Sequence, residues 1–126
     1  MRSAYKLLVI DDDRDVADSL AMLMESFDAD VRVAYDGATG VRAVPDFRPE
    51  VVFIDIRMPK MDGYETARRI RAQLGDRTPM LVALTGLSPN DDPGKRAEAG
   101  FDFELVKPVS AAALEKLLKV AASKRD

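Results

Sequence analysis

Five short apolar runs limit what this chain can fold into. They are Leu7–Ile10, Val31–Ala34, Val51–Ile54, Met80–Leu84 and Phe103–Val106, each of strand length and each followed by a stretch with helical spacing. Strands that are apolar throughout must be covered on both faces, and strands that alternate with helices are joined by crossovers that leave them parallel. The expectation is a doubly wound α/β domain, with a five-stranded parallel sheet and five helices. A chain of 126 residues has room for one such domain, taken as 1–126 with a core at about 5–122.

The intervening stretches supply the helices. Val16, Leu20, Leu23 and Phe27 recur at four, three and four residues, one face of a first helix. Asp36, ahead of Gly37 and Ala38, reads as the N-cap of a second helix stopped by Pro45. Tyr64, Ala67, Ile70 and Leu74 mark a third, ended by Gly75. A fourth, around Asp91–Ala99, contains Pro93 and Gly94 and ends at Gly100. Ser110 caps the last, whose inward face is Leu114, Leu117, Leu118 and Ala121.

Composition narrows the chemistry. The chain has no cysteine, which excludes a disulfide scaffold and fits a reducing, cytoplasmic compartment. Histidine is also absent, which removes the commonest general base and the commonest metal ligand, so any metal here must be a hard cation held by oxygens. The net charge of −3 and the scattered basic residues give no electrostatic footprint for nucleic acid. No apolar run approaches the roughly 20 residues of a membrane span.

In a doubly wound sheet, ligands bind beyond the carboxyl ends of the strands, and here those ends carry reactive groups. Asp11, Asp12 and Asp13 follow the first strand, Asp55 the third, Thr85 the fourth and Lys107 the fifth. Each has an ordinary structural reading: helix-capping acids, a strand-terminating acid, a turn hydroxyl, a surface lysine. Together they describe a site. Asp11 and Asp12 face the crevice and could hold a divalent cation, while Asp13 already begins the helix. A carboxylate such as Asp55 can attack phosphorus to form an acyl phosphate, a reaction that needs positioning and charge neutralisation. Thr85 can donate to a phosphoryl oxygen and Lys107 can neutralise another. Lys107-Pro108 admits a cis peptide.

Four segments in order, Leu-Leu-Val-Ile-Asp-Asp-Asp, Val-Phe-Ile-Asp-Ile-Arg-Met-Pro-Lys-Met-Asp-Gly, Val-Ala-Leu-Thr-Gly and Leu-Val-Lys-Pro, resemble the response-regulator receiver domain of two-component signalling over nearly the whole chain. The resemblance implies a flavodoxin-like sheet of receiver topology. It implies that Asp55 accepts a phosphoryl group from a phosphohistidine on a sensor histidine kinase or histidine phosphotransfer protein. Mg²⁺ would be held by Asp12, Asp11, Asp55 and the backbone carbonyl of Arg57, and Thr85 and Lys107 would bind phosphoryl oxygens. A receiver is not a conventional enzyme but catalyses its own phosphorylation and dephosphorylation. Its output would pass to a downstream protein target, with no direct contact to nucleic acid or membrane. Ala99-Gly100-Phe101-Asp102 with Leu-Val-Lys-Pro-Val is similar to receivers attached to hybrid histidine kinases.

Two departures from the family pattern stand out. The position three before the lysine, usually an aromatic that moves on phosphorylation, is Glu104, and alternation sends Phe103 to the opposite side. Glu104 is expected to stay exposed and to help define a partner surface. Arg57 and Leu87, each two residues past a site residue, are expected to shield the acyl phosphate from water and make its decay slow to moderate. Three rivals remain: a degenerate receiver that only binds protein, a Mg²⁺-dependent aspartyl phosphatase, and a flavodoxin-like cofactor binder. The phosphatases typically place a second acid where Arg57 stands, and a triple aspartate would repel a cofactor phosphate.

Overall fold

The computed structural model describes residues 5–86 and 93–124. In chain order the elements are β1 (Lys6–Ile10), α1 (Arg14–Glu25), β2 (Asp30–Ala34), α2 (Gly37–Phe47), β3 (Val51–Asp55), α3 (Gly63–Leu74), a 3₁₀ turn (Gly75–Arg77), β4 (Met80–Thr85), α4 (Pro93–Ala99), β5 (Phe103–Val106) and α5 (Ala111–Ser123). The five strands form one parallel sheet in the order β2-β1-β3-β4-β5. The doubly wound fold expected from the sequence is the fold observed.

Alternation within each apolar strand divides the core in two. Leu7, Val9, Phe53, Val82 and Leu84 pack against Ala17, Leu20 and Met24 of α1 and Leu114, Leu117 and Leu118 of α5. Leu8, Ile10, Val52, Ile54 and Leu81 face the other way, onto Val44 and Phe47 of α2, Ala67 and Ile70 of α3 and Ala99 of α4. After β1 the chain therefore leaves to one face, and after β3 to the other. The carboxyl ends of these neighbouring strands are left uncovered between the two departures, and a crevice opens there.

Side-chain caps fix where the helices start. Asp13 accepts from Val16 N, Asp36 from Thr39 N, Asp62 from Glu65 N and Ser110 from Ala113 N, each satisfying a donor that the helix itself cannot. Three expectations need correction. The inward face of α1 is Ala17, Leu20, Ala21 and Met24, one residue round from Val16, and Phe27 packs from beyond the helix end. Pro45 lies inside α2 rather than stopping it. Pro45 is close to the helix end, Arg48 N still bonds to Val44 O, and buried Phe47 anchors the last turn in the core. The two edge strands are not buried throughout: Asp30 and Arg32 of β2 are exposed, as are Phe103, Glu104 and Val106 of β5. An edge strand has one sheet neighbour and needs less cover. Of the fourth helix, residues 93–99 are helical, and Asp91 lies outside the described residues.

The loop between β3 and α3 is pinned tightly to the strand end. Gly63 N donates to Ile56 O at 3.0 Å. A Cβ on Gly63 would sit 2.5 Å from the Asp55 carbonyl oxygen and 2.6 Å from Ile56 Cα. Both atoms are backbone and cannot move aside. Gly63→Ala is therefore expected to lower unfolding stability in urea by at least about 2 kcal/mol, although alanine is the better helix former. Unchanged or increased stability would contradict this close approach.

Candidate functional site

The crevice gathers four charged side chains from three strand ends. Asp11 directly follows β1 and is fully buried; its Oδ1 accepts from Asp13 N at 3.0 Å. Asp55 ends β3, 6% exposed, and its Oδ1 accepts from Arg57 N at 3.2 Å. Lys107 follows β5 and extends its ammonium between the two acids, 2.9 Å from Asp11 Oδ2 and 3.2 Å from Asp55 Oδ1. Asp12 is exposed at the rim, and one oxygen each from Asp11, Asp12 and Asp55 lie within 4.8 Å of one another. The Lys107–Pro108 peptide is cis.

Thr85 ends β4 beside this group, 5% exposed, and its carbonyl accepts from Lys107 N at 2.7 Å. Asp11, Asp12, Asp55, Thr85 and Lys107, all singled out from the sequence, thus meet at one end of the sheet. Glu104 and Phe103 stand apart. Glu104 pairs with Arg96 of α4 at 2.7 Å, and the Phe103 ring lies on the other side, 5.8 Å from the Lys124 ammonium. Arg57 is exposed, and Leu87 falls outside the described residues.

Electrostatics in the crevice are unbalanced. Three carboxylates face one ammonium. Burial pushes the Asp55 carboxyl up to about 7, and the Asp11 charge beside it adds to the rise, against the opposing pull of Lys107 and the Arg57 N–H. For Lys107, burial disfavours the charged form, but hydrogen bonding to Asp11 and the nearby Asp55 charge outweigh it and raise its pKa. Lys107 is therefore an ammonium at neutral pH. Asp11 Oδ2, fully buried, has no hydrogen-bond partner among the described residues beyond this ion contact. A cation bound by oxygens would satisfy that atom and offset the excess negative charge, and the all-oxygen donor set suits a hard divalent ion.

Two supporting residues were not read from the sequence. Asp62 caps α3 and so fixes the loop after Asp55; Asp62 followed by Glu65 is a capping pattern that carried this signal. Arg96 left no local signal, because its partner Glu104 is reached through the tertiary fold.

Residues 7–119 match the family model of the response regulator receiver domain. The chain belongs to this family. Among curated relatives, the transcriptional regulatory protein PrrA of Mycobacterium leprae is 37% identical over 98% of this chain and 52% of its own length. The receiver thus spans about half the length of the curated relatives it matches. Among solved structures, the receiver domain of the Pseudomonas aeruginosa sensor histidine kinase PA1611, described with a magnesium ion coordinated in its active-site cleft, superposes with a TM-score of 0.86 at 27% identity, covering 96% of this chain and 99% of that one. The signal receiver domain of a histidine kinase from Syntrophus aciditrophicus gives a TM-score of 0.85 at 30% identity, covering 98% and 95%. The phosphatase and cofactor-binder alternatives are not favoured by these relationships. Among the described residues, no helix of the receiver is long and apolar enough to cross a membrane.

The raised Asp55 pKa has a defined sign for stability. A carboxyl that binds its proton more tightly folded than unfolded makes the protein lose stability as pH rises from the ordinary 3.8 through about 7. In chelator, Asp55→Asn is therefore expected to be more stable than the wild-type receiver at pH 8, by about 1–3 kcal/mol in urea unfolding, with the gap shrinking toward pH 5. Equal stabilities at pH 8, or a less stable variant, would contradict the crowding of charge.

Proposed function

We propose that this receiver is a phosphorylation-dependent signalling switch that accepts a phosphoryl group on Asp55. The donor is a phosphohistidine of a sensor histidine kinase or histidine phosphotransfer protein. The observation that carries the reading is the Lys107 ammonium shared between Asp11 and Asp55, with Thr85 bound to the same lysine through the backbone. An Asp55 carboxylate oxygen attacks phosphorus in line with the P–N bond of the donor. That bond breaks, and the imidazole nitrogen leaves with its electron pair and takes a proton from water. The product is an acyl phosphate on Asp55.

The remaining residues neutralise charge around the transferred group. Lys107, already 3.2 Å from Asp55, moves its hydrogen bond to a phosphoryl oxygen, and the Thr85 hydroxyl donates to another. Asp12, Asp11, Asp55 and the carbonyl of Arg57 would hold Mg²⁺, consistent with the magnesium described for the PA1611 receiver. When bound, the ion draws charge from the phosphoryl oxygens during transfer. Water attack on phosphorus breaks the carboxyl O–P bond, releases inorganic phosphate and returns Asp55 to a carboxylate, and Arg57, exposed beside the site, limits access of that water. Output passes to a protein partner. The cytoplasm suits a cysteine-free chain of this kind.

Intact mass after incubation with a small acyl-phosphate donor and Mg²⁺ tests the reading. One phosphoryl addition is expected in the wild type, and none in Asp55→Asn or in EDTA. Addition that persists in Asp55→Asn, or that ignores the chelator, would place the chemistry elsewhere.

A further inference from the structure

The amino ends of β3 and β4 lie side by side, Val51 opposite Met80, at the pole of the sheet away from the crevice. A cavity of about 470 Å³ opens there, bounded by the last turns of α2 and α3. Its walls are apolar, with Pro45 and Pro49 on the α2 side and Leu74 and Pro79 on the other. Proline carries no N–H, so these walls demand no hydrogen bond from whatever lies against them. The charged residues lining the cavity are Arg48 and Arg77, and none of the described residues lining it is acidic. Arg48 directly follows α2, and Arg77 ends the 3₁₀ turn after α3.

Neither guanidinium has an ion-pair, hydrogen-bond or ring partner among the described residues. Several other arginines are used within the fold: Arg14 lies over Tyr35, Arg32 over Phe47, and Arg69 and Arg71 pair with Glu65 and Asp102. The backbone under both free side chains is fixed. Arg48 N donates to Val44 O at 2.9 Å, and the turn carrying Arg77 is closed by the Thr78 N–H and hydroxyl on the Gly75 carbonyl. Arg48 also stands where another residue would suit the backbone better. Its φ of 55° and ψ of 57° are left-handed, the conformation in which glycine most readily ends a helix. Pro49 after it favours extended backbone instead. A charged side chain in that place, without a partner in the fold, points outside the fold for its use.

We propose that this cavity is a ligand site for a small organic phosphate of the nucleoside monophosphate class, its phosphate gripped by Arg48 and Arg77 and its ring against the proline walls. The site lies at the opposite pole from Asp55 and is independent of the phosphorylation reading. Charge favours an anion. The carboxyl ends of two helices bring roughly half a negative charge each, and two guanidinia bring two full positive charges, which leaves about one positive charge in excess. Guanidinium forks match phosphate oxygens in pairs, and two forks suit a doubly charged phosphate better than a single carboxylate. Size favours an organic body. The volume falls in the range of roughly 300–1,000 Å³ typical of small-molecule pockets, and a bare phosphate would leave the apolar walls uncovered.

Amide chemical shifts during titration with AMP, in chelator and at low salt, test the site. Shifts are expected in residues 44–49 and 74–79, with a dissociation constant below about 1 mM. Arg48→Gly and Arg77→Gln are each expected to weaken binding about tenfold or more, and inorganic phosphate and adenosine should each bind at least about tenfold more weakly than AMP. Arg48→Gly should also unfold at the same urea concentration as wild type or a higher one, because glycine accepts the left-handed backbone. No shifts at several millimolar AMP, shifts centred on Asp11 and Asp55, or binding undiminished in both variants overturns the proposal. Tighter binding of a hexaglutamate peptide than of AMP overturns it in favour of an acidic protein partner. A lower urea midpoint in Arg48→Gly makes Arg48 a structural cap of α2 and overturns its assignment to a ligand.

Discussion

One ammonium shared between two buried carboxylates governs the site. Asp11 and Asp55 come from neighbouring strands and would repel each other in a poorly solvated crevice. Lys107, arriving from the far edge of the sheet, lies within 2.9 and 3.2 Å of them and makes their proximity tolerable. The compensation is incomplete. One positive charge faces Asp11, Asp12 and Asp55, Asp11 Oδ2 has no other partner among the described residues, and the Asp55 carboxyl is pushed up to about 7. A fully neutralised crevice would have no use for a cation. This one is left short of positive charge where a divalent ion and a phosphoryl group could meet.

The fold brings these charges together without strain in the strands that carry them. β1 and β3 lie side by side, and the chain leaves them toward opposite faces, so the two carboxylates are uncovered at the same end. Gly63, packed against the Asp55 carbonyl, and Asp62, capping α3, hold the following loop close to the strand. Lys107 is tied back to β4 through the Thr85 carbonyl, so the cation and the hydroxyl are positioned as a unit.

Most of this was legible in the sequence because it is local. Strand length, the apolar runs and the caps Asp36 and Ser110 each act within a few residues, and strand-end chemistry follows once the strands are placed. What was misread depends on distant neighbours. Val16 and Phe27 are stronger hydrophobic letters than Ala17, yet Ala17 is the residue turned fully into the core with Leu20 and Met24, while Val16 stays partly exposed. Pro45 reads as a stop, but α2 continues through it to Phe47, which is buried in the core. Phe103 and Val106 look like core letters, and their exposure follows from the place of β5 at the edge. The ion pair of Arg96 with Glu104 could not be read at all, since nothing near either residue announces the other.

Lys107 stands in for a cation that the acids would otherwise attract. Calorimetric titration of Mg²⁺ into the receiver at pH 8 tests it most directly, beside Lys107→Met and Asp12→Asn. With the competing ammonium removed, Lys107→Met should bind Mg²⁺ several-fold more tightly than wild type, on the order of one close charge interaction at a partly exposed site, while Asp12→Asn should bind at least about tenfold more weakly. Weaker or unchanged binding in Lys107→Met, or undiminished binding in Asp12→Asn, would contradict the account.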